Sequence, residues 1–141
     1  MMADTQKQLA VGDALPVIRH TVTQAMIDLY AEVSGDRNPL HIDVEFGRNS
    51  PFGSTIAHGL MTMAFATQAM TAWGPACELD VAFIGPVRPG EAVTVTGAVR
   101  SIEERDGAWV AICDIACTVG ERTVMAGTAL RQVADRQEAS S

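Results

Sequence analysis

The run Tyr30-Ala31-Glu32-Val33-Ser34-Gly35-Asp36-Arg37-Asn38-Pro39-Leu40-His41 gathers a carboxylate, an amide and an imidazole on one short turn. Gly35 permits an unusual backbone conformation, and Pro39 fixes its own φ while biasing Asn38 toward extended geometry. Side chains held this way can converge on one water. A carboxylate and a neutral imidazole sharing a water form a workable general base, and the same pair can return a proton as acid. The same residues also describe a well-made turn in which Asp36 caps backbone amides, and from chemistry alone both readings stand.

A second segment, Ser54-Thr55-Ile56-Ala57-His58-Gly59-Leu60, falls where a long apolar helix begins. Helix starts carry free N–H groups and the positive end of the dipole. With no side chain on Gly59, a ligand carbonyl could approach its N–H closely, as in an oxyanion site. Alternatively this is a helix start with a Ser or Thr cap and a glycine chosen for tight packing. His58 reads first as a structural histidine and second as a catalytic one. There is no Gly-x-Gly-x-x-Gly, Walker loop, Gly-x-Ser-x-Gly elbow or His-Glu-x-x-His. Ser34 has no evident base, so covalent catalysis is not favoured.

The elements that must position these residues can be read from the pattern. Leu15 to Val22 suits a strand, and Thr23 an N-cap for a helix from Gln24 to Val33 with Met26, Leu29, Tyr30 and Val33 at helical spacing. Gly35 ends it. A short helical piece covers Asp43 to Phe46, and Pro51 and Gly53 break the chain before a long helix, roughly Ile56 to Trp73. Four strands follow as a meander: Leu79 to Val87, Ala92 to Ile102, Trp109 to Val119 and Thr123 to Val133, with Arg105-Asp106-Gly107 as a hairpin turn. This order is α+β, a curved antiparallel sheet wrapped around one long buried helix, the arrangement called a hot-dog fold.

Composition agrees. The 141 residues fit one domain, expected over 9–133 with polar tails at 1–8 and 134–141. A hydrophobic fraction of 48% excludes intrinsic disorder. Ten basic against 17 acidic residues give −7, which argues against nucleic acid or a basic membrane-surface role. The apolar run from Ile56 to Trp73 raises the question of a membrane span, but His58, Gln68 and several Thr interrupt it and no basic anchors flank it. Cys77, Cys113 and Cys117 lack zinc or disulfide spacing, so no metal is expected and a cytoplasmic location is the default. Met61, Met63 and Met70 read as core filler.

Taken together, the two segments resemble the signature of the MaoC-like, (R)-specific enoyl-CoA hydratases (the hydratase 2 family). That signature is an aromatic, two residues, an aliphatic, a small residue, then Gly-Asp-x-Asn-Pro-aliphatic-His, and Tyr30 to His41 matches each position. Ala57-His58-Gly59-Leu60 resembles its second stretch. The resemblance implies a homodimeric hot-dog enzyme acting on acyl-CoA or acyl carrier protein thioesters, with no metal or redox cofactor. It makes Asp36 and His41 the catalytic pair, Asn38 the amide that holds the water and the pair, and Gly59 the donor to the thioester carbonyl. Thr67 stands near where relatives often carry a small hydroxyl residue, and its extra methyl would narrow the acyl tunnel. Gly47 replaces a usual Ala or Ser; it is small enough that packing should survive, with the following helix looser. A hot-dog thioesterase would need a carboxylate on the long helix, and this helix has none. An inert acyl-thioester-binding protein is disfavoured by the intact Asp36, Asn38 and His41. Coenzyme A is strongly anionic, so the few basic groups should gather near the tunnel mouth, with Arg48 and Arg88 as candidates by position.

Overall fold

The computed structural model describes residues 8–133. The expected tails and the Cys77 side chain lie outside the described residues. Five strands, β1 (Ile18–Thr21), β2 (Ala76–Phe83), β3 (Ala92–Arg105), β4 (Ala108–Val119) and β5 (Arg122–Gln132), form one antiparallel sheet. Four helices, α1 (Gln24–Ser34), α2 (Pro39–Ile42), α3 (Val44–Arg48) and α4 (Gly59–Trp73), lie between β1 and β2. This is the α+β hot-dog architecture expected.

The strand order is β1-β3-β4-β5-β2, so the expected four-strand meander holds only for β3, β4 and β5. β2 joins the far side of β5 instead. Its connection to β3 contains Pro86 and Pro89, which cannot donate to a ladder, and so resists closing as a tight hairpin. The connection passes over the start of α4, where Ala57 N–H donates to the Val87 carbonyl at 2.8 Å. β2 also ends four residues earlier than expected, since the chain leaves the strand at Ile84.

The core is built without bulk. Ala66, Ala69 and Met70 of α4 are fully buried, as are Val93, Val95, Cys113, Cys117, Val124 and Met125 of the sheet. Small helix residues allow close approach to the branched strand residues, giving dense packing in a chain with 5% aromatics. Met61 is buried as well and Met63 packs at the edge. Burial pushes the Cys113 and Cys117 thiols up to about 11, because a thiolate would lose its solvation there. Among the described residues no helix is long and apolar enough to cross a membrane.

α1 starts as expected: the Thr23 hydroxyl accepts from Met26 N–H at 3.2 Å. It ends where Gly35 adopts φ 80°, a left-handed conformation that costs glycine little. Its buried stripe, however, is Ile27 and Ala31, while Leu29 and Val33 are 62% and 80% exposed. Their helical spacing marks an apolar face turned to solvent rather than to the core.

Candidate active site

The Asp36 and Asn38 side chains of the turn are held by local chemistry. Asp36 Oδ1 accepts from Asn38 N–H at 3.3 Å, and Ser34 Oγ accepts from Asp36 N–H at 3.1 Å. Asn38 Oδ1 caps α2 by accepting from Leu40 N–H at 3.0 Å, with Pro39 at the first helical position. α2 is only one turn long, and Asp43 both ends it and caps α3 through Glu45 and Phe46 N–H. One short helix was expected; the chain makes two because Pro39 starts its own turn.

That turn delivers His41 in a defined state. Its Nδ1 lies 2.7 Å from the Ile56 carbonyl, which can only accept, so Nδ1 carries a proton and, in the neutral ring, Nε2 holds the lone pair. Nε2 faces Asp36 Oδ2 at 3.9 Å. The separation is too long for a direct hydrogen bond and suits two groups sharing a water. The His41 side chain is 13% exposed, whereas that of Asp36 is 57% exposed.

α4 begins at Gly59, three residues later than expected, and the expected Ser or Thr cap is absent. The reason is visible in the preceding residues. Ile56 N–H is bonded to the Leu40 carbonyl and Ala57 N–H to that of Val87, which holds this segment extended. His58 occupies the N-cap without a capping side-chain bond. Gly59 N–H makes no hydrogen bond among the described residues. Together with the dipole of a 15-residue helix, it is a donor aimed at whatever occupies the adjoining space.

That space is a cavity of about 370 Å³ whose wall includes His41, Gly59, Thr62, Phe52, Ile56, Phe83, Ile84 and Val87. The structure therefore brings His41 and Gly59 to one cavity. Asp36 joins it through His41, and Asn38 stays on the turn with Oδ1 committed to its cap. Thr67 does not line this cavity; its hydroxyl donates to the Met63 carbonyl at 3.0 Å. The hydroxyl residue in the wall is Thr62, only 4% exposed, whose side chain makes no hydrogen bond among the described residues. Its spacing from Gly59 could have revealed it: three residues apart, the two share one helix face, and helical side chains lean toward the N-terminus.

His58 proves integral to the same cluster. It is 3% exposed, its Nε2–H donates to the Asp36 carbonyl at 2.9 Å, and its Nδ1 is buried without a partner. The ring stacks on His41 at 3.8 Å and meets the Tyr30 ring at a tilt, 4.7 Å away and 47° between planes. Asp36, His41 and His58 each place a ligating atom within 4.8 Å of the others, the one described cluster with the donors to hold a cation.

Gly47 keeps the packing intact, as its small size led one to expect. It is buried against Ser54 and Thr55, and an added Cβ would stand 2.6 Å from the Ser54 carbonyl carbon. The glycine lets α3 touch the segment that orients His41.

A polar turn feeding a histidine to an uncapped helix start, inside a hot-dog sheet, defines a hydro-lyase of the hydratase and dehydratase kind. The MaoC-like domain family matches residues 7–115, and the chain belongs to that family. It is 33% identical over 129 residues to a 3-hydroxybutyryl-CoA dehydratase of Methylorubrum extorquens, covering 87% of this chain and 80% of that protein. It is 30% identical over 115 residues to an (R)-specific enoyl-CoA hydratase of Rhodospirillum rubrum, covering 74% and 80%. A solved MaoC-like dehydratase of Rhodospirillum rubrum superposes with a TM-score of 0.79 at 27% identity, covering 92% and 96%. An unliganded R-hydratase of Pseudomonas aeruginosa shares the fold, with a TM-score of 0.80 at 24% identity, covering 91% and 84%.

Proposed function

We propose that this protein catalyses the reversible hydration of a trans-2-enoyl thioester to an (R)-3-hydroxyacyl thioester. The observation that carries this is the fixed tautomer of His41, whose Nε2 lone pair faces Asp36 at the edge of a cavity that also holds the Gly59 N–H.

In the hydration direction, a water lies between Asp36 and His41 Nε2. His41 takes its proton as the hydroxide oxygen bonds to C3. The C2=C3 electron pair moves into the thioester carbonyl, and the resulting enolate oxygen is held by Gly59 N–H. The enolate then collapses, and the Asp36/His41 pair delivers a proton to C2 on the same face. Asn38 keeps the turn in register. The conjugated thioester is its own electron sink, so the chemistry requires neither a metal nor a redox cofactor.

The cavity wall contains no carboxylate and no Arg or Lys, which supports an uncharged acyl chain over a dicarboxylic one. The relatives' names, a 3-hydroxybutyryl-CoA dehydratase and an enoyl-CoA hydratase, support the same reading. Exposed Leu29, Val33, Leu60, Phe83 and Ile84 supply apolar surface suited to a homodimer interface. The test is a panel of enoyl-, hydroxyacyl- and acyl-CoAs followed for enoyl absorbance and free thiol. Loss of enoyl absorbance without thiol release is expected. Thiol release alone would make the protein a thioesterase, and no reaction would make it a binder.

A further inference from the structure

Arg48 and Arg88, far apart in sequence, meet in one recess of about 420 Å³, whose wall also contains Ser54 and Thr55. No carboxylate lines it, although the chain carries a net charge of −7. Two other surface recesses are each lined by two acids: Asp43 and Glu45 in one, Asp28 and Glu32 in the other. Neither Arg48 nor Arg88 pairs with a carboxylate among the described residues. The nearby Glu91 is bonded to the backbone N–H of Arg88 and to the Arg122 guanidinium. The recess is thus a local positive site on an acidic protein, built on two guanidinium groups, while the Ser54 and Thr55 hydroxyls donate inward to the Thr55 carbonyl and to Gln24.

It is also wired to the catalytic cavity. Arg88 Nε donates to the carbonyl of Phe52, whose residue lines the acyl cavity. Gln24, in the recess wall, donates to the backbone carbonyl of His41 and accepts from the Thr55 hydroxyl. The two hollows therefore share the segment from Phe52 to Ile56 as a common wall.

We propose that this recess is the phosphate subsite of the thioester's carrier: Arg48 and Arg88 bind a phosphate of the pantetheine-bearing end while the acyl group occupies the cavity beyond Phe52. The proposal rests on the hydratase reading above for its acyl half. The phosphate chemistry is common to coenzyme A and to a phosphopantetheine arm on a carrier protein.

The test compares crotonyl-coenzyme A, crotonyl-phosphopantetheine and crotonyl-pantetheine as substrates of the wild type and of an Arg48→Gln/Arg88→Gln variant. Removing both forks should lower kcat/KM for the coenzyme A thioester relative to the pantetheine thioester by at least about tenfold, since each lost charge-assisted bond approaches that factor. A phosphopantetheine thioester that behaves like the coenzyme A one assigns the shared 4′-phosphate. One that behaves like pantetheine would move the contact to the nucleotide phosphates and overturn its assignment to the pantetheine-bearing end. Equal use of all three by the wild type, or equal losses on all three in the variant, would overturn the subsite. Calorimetric binding of free coenzyme A, which needs no turnover, separates this outcome from failure of the hydratase reading. The wild type should bind it about tenfold more tightly than the variant and less tightly at raised salt. Identical binding overturns the subsite whatever the chemistry at His41.

Discussion

His41 and His58 stack ring on ring at 3.8 Å and 25° while bonding to different backbone carbonyls, His41 Nδ1 to Ile56 and His58 Nε2 to Asp36. The pair clamps the polar turn to the start of α4. Neither carboxylate nor imidazole can drift without disturbing the other's anchor.

Under the proposed mechanism, Asp36→Asn and His41→Ala should each lower the hydration rate by about 10²–10⁴, the usual contribution of a general acid–base group. Steady-state turnover of crotonyl-CoA measures it. Wild-type rates in both variants would remove the pair from the mechanism.

His58 acts on Asp36 rather than on substrate. His58→Phe keeps a ring against His41 but loses the bond to the Asp36 carbonyl, so kcat should fall about tenfold with KM little changed. A general loss of folding would appear instead in circular dichroism and in melting. A kcat equal to wild type would show that the turn holds itself.

The Thr62 hydroxyl has no hydrogen-bond partner among the described residues, so Thr62→Val removes no bond seen there and should leave the melting temperature near wild type. If the hydroxyl meets the bound thioester, kcat/KM should drop about tenfold. The matching Thr67→Val change breaks a bond to the Met63 carbonyl and should spare kcat/KM. The reverse pattern would restore Thr67 to the site.

Gly47→Ala forces a methyl into the Ser54–Thr55 backbone and should cost about 1–3 kcal/mol, as overpacking typically does. Chemical denaturation measures the loss. Because Ile56 follows directly and orients His41, activity should fall in the fraction that remains folded.

The buried thiols set an alkaline limit. Unfolded Cys113 and Cys117 ionise near their ordinary value of 9, whereas burial holds the native thiols protonated to about 11. Their contribution is complete below pH 9 and is lost as pH rises toward 11, since the unfolded state then releases protons that the native state keeps. Urea midpoints at pH 8 and pH 10 should fall more steeply for the wild type than for a Cys113→Ala/Cys117→Ala variant. Parallel declines would assign the alkaline loss to other groups.

The polar turn was legible in the sequence because most of its residues have local jobs: Thr23 and Gly35 bound α1, Pro39 starts α2, and Asp36 and Asn38 bond to backbone only two residues away. What escaped was set by partners distant in the chain. The Leu29/Val33 stripe has helical spacing whichever way it faces, and only packing selects Ile27 and Ala31 as the buried pair. β2 could pair with β3 or β5 by pattern alone. Thr62 and Thr67 differ in role through rotation about α4, fixed by the sheet against which Ala66, Ala69 and Met70 pack. Gly47 was visible as a substitution, but its contact with Thr55 was not.

The uncapped first turn of α4 carries a further meaning. An isolated helix start lacking a capping side chain forgoes about 1 kcal/mol of stability. Here that first turn adjoins the cavity, so under the proposed mechanism a thioester oxygen seated on Gly59 would satisfy one of its free N–H groups. A bound substrate would then complete the start of α4, tying the order of that helix end to occupancy of the site.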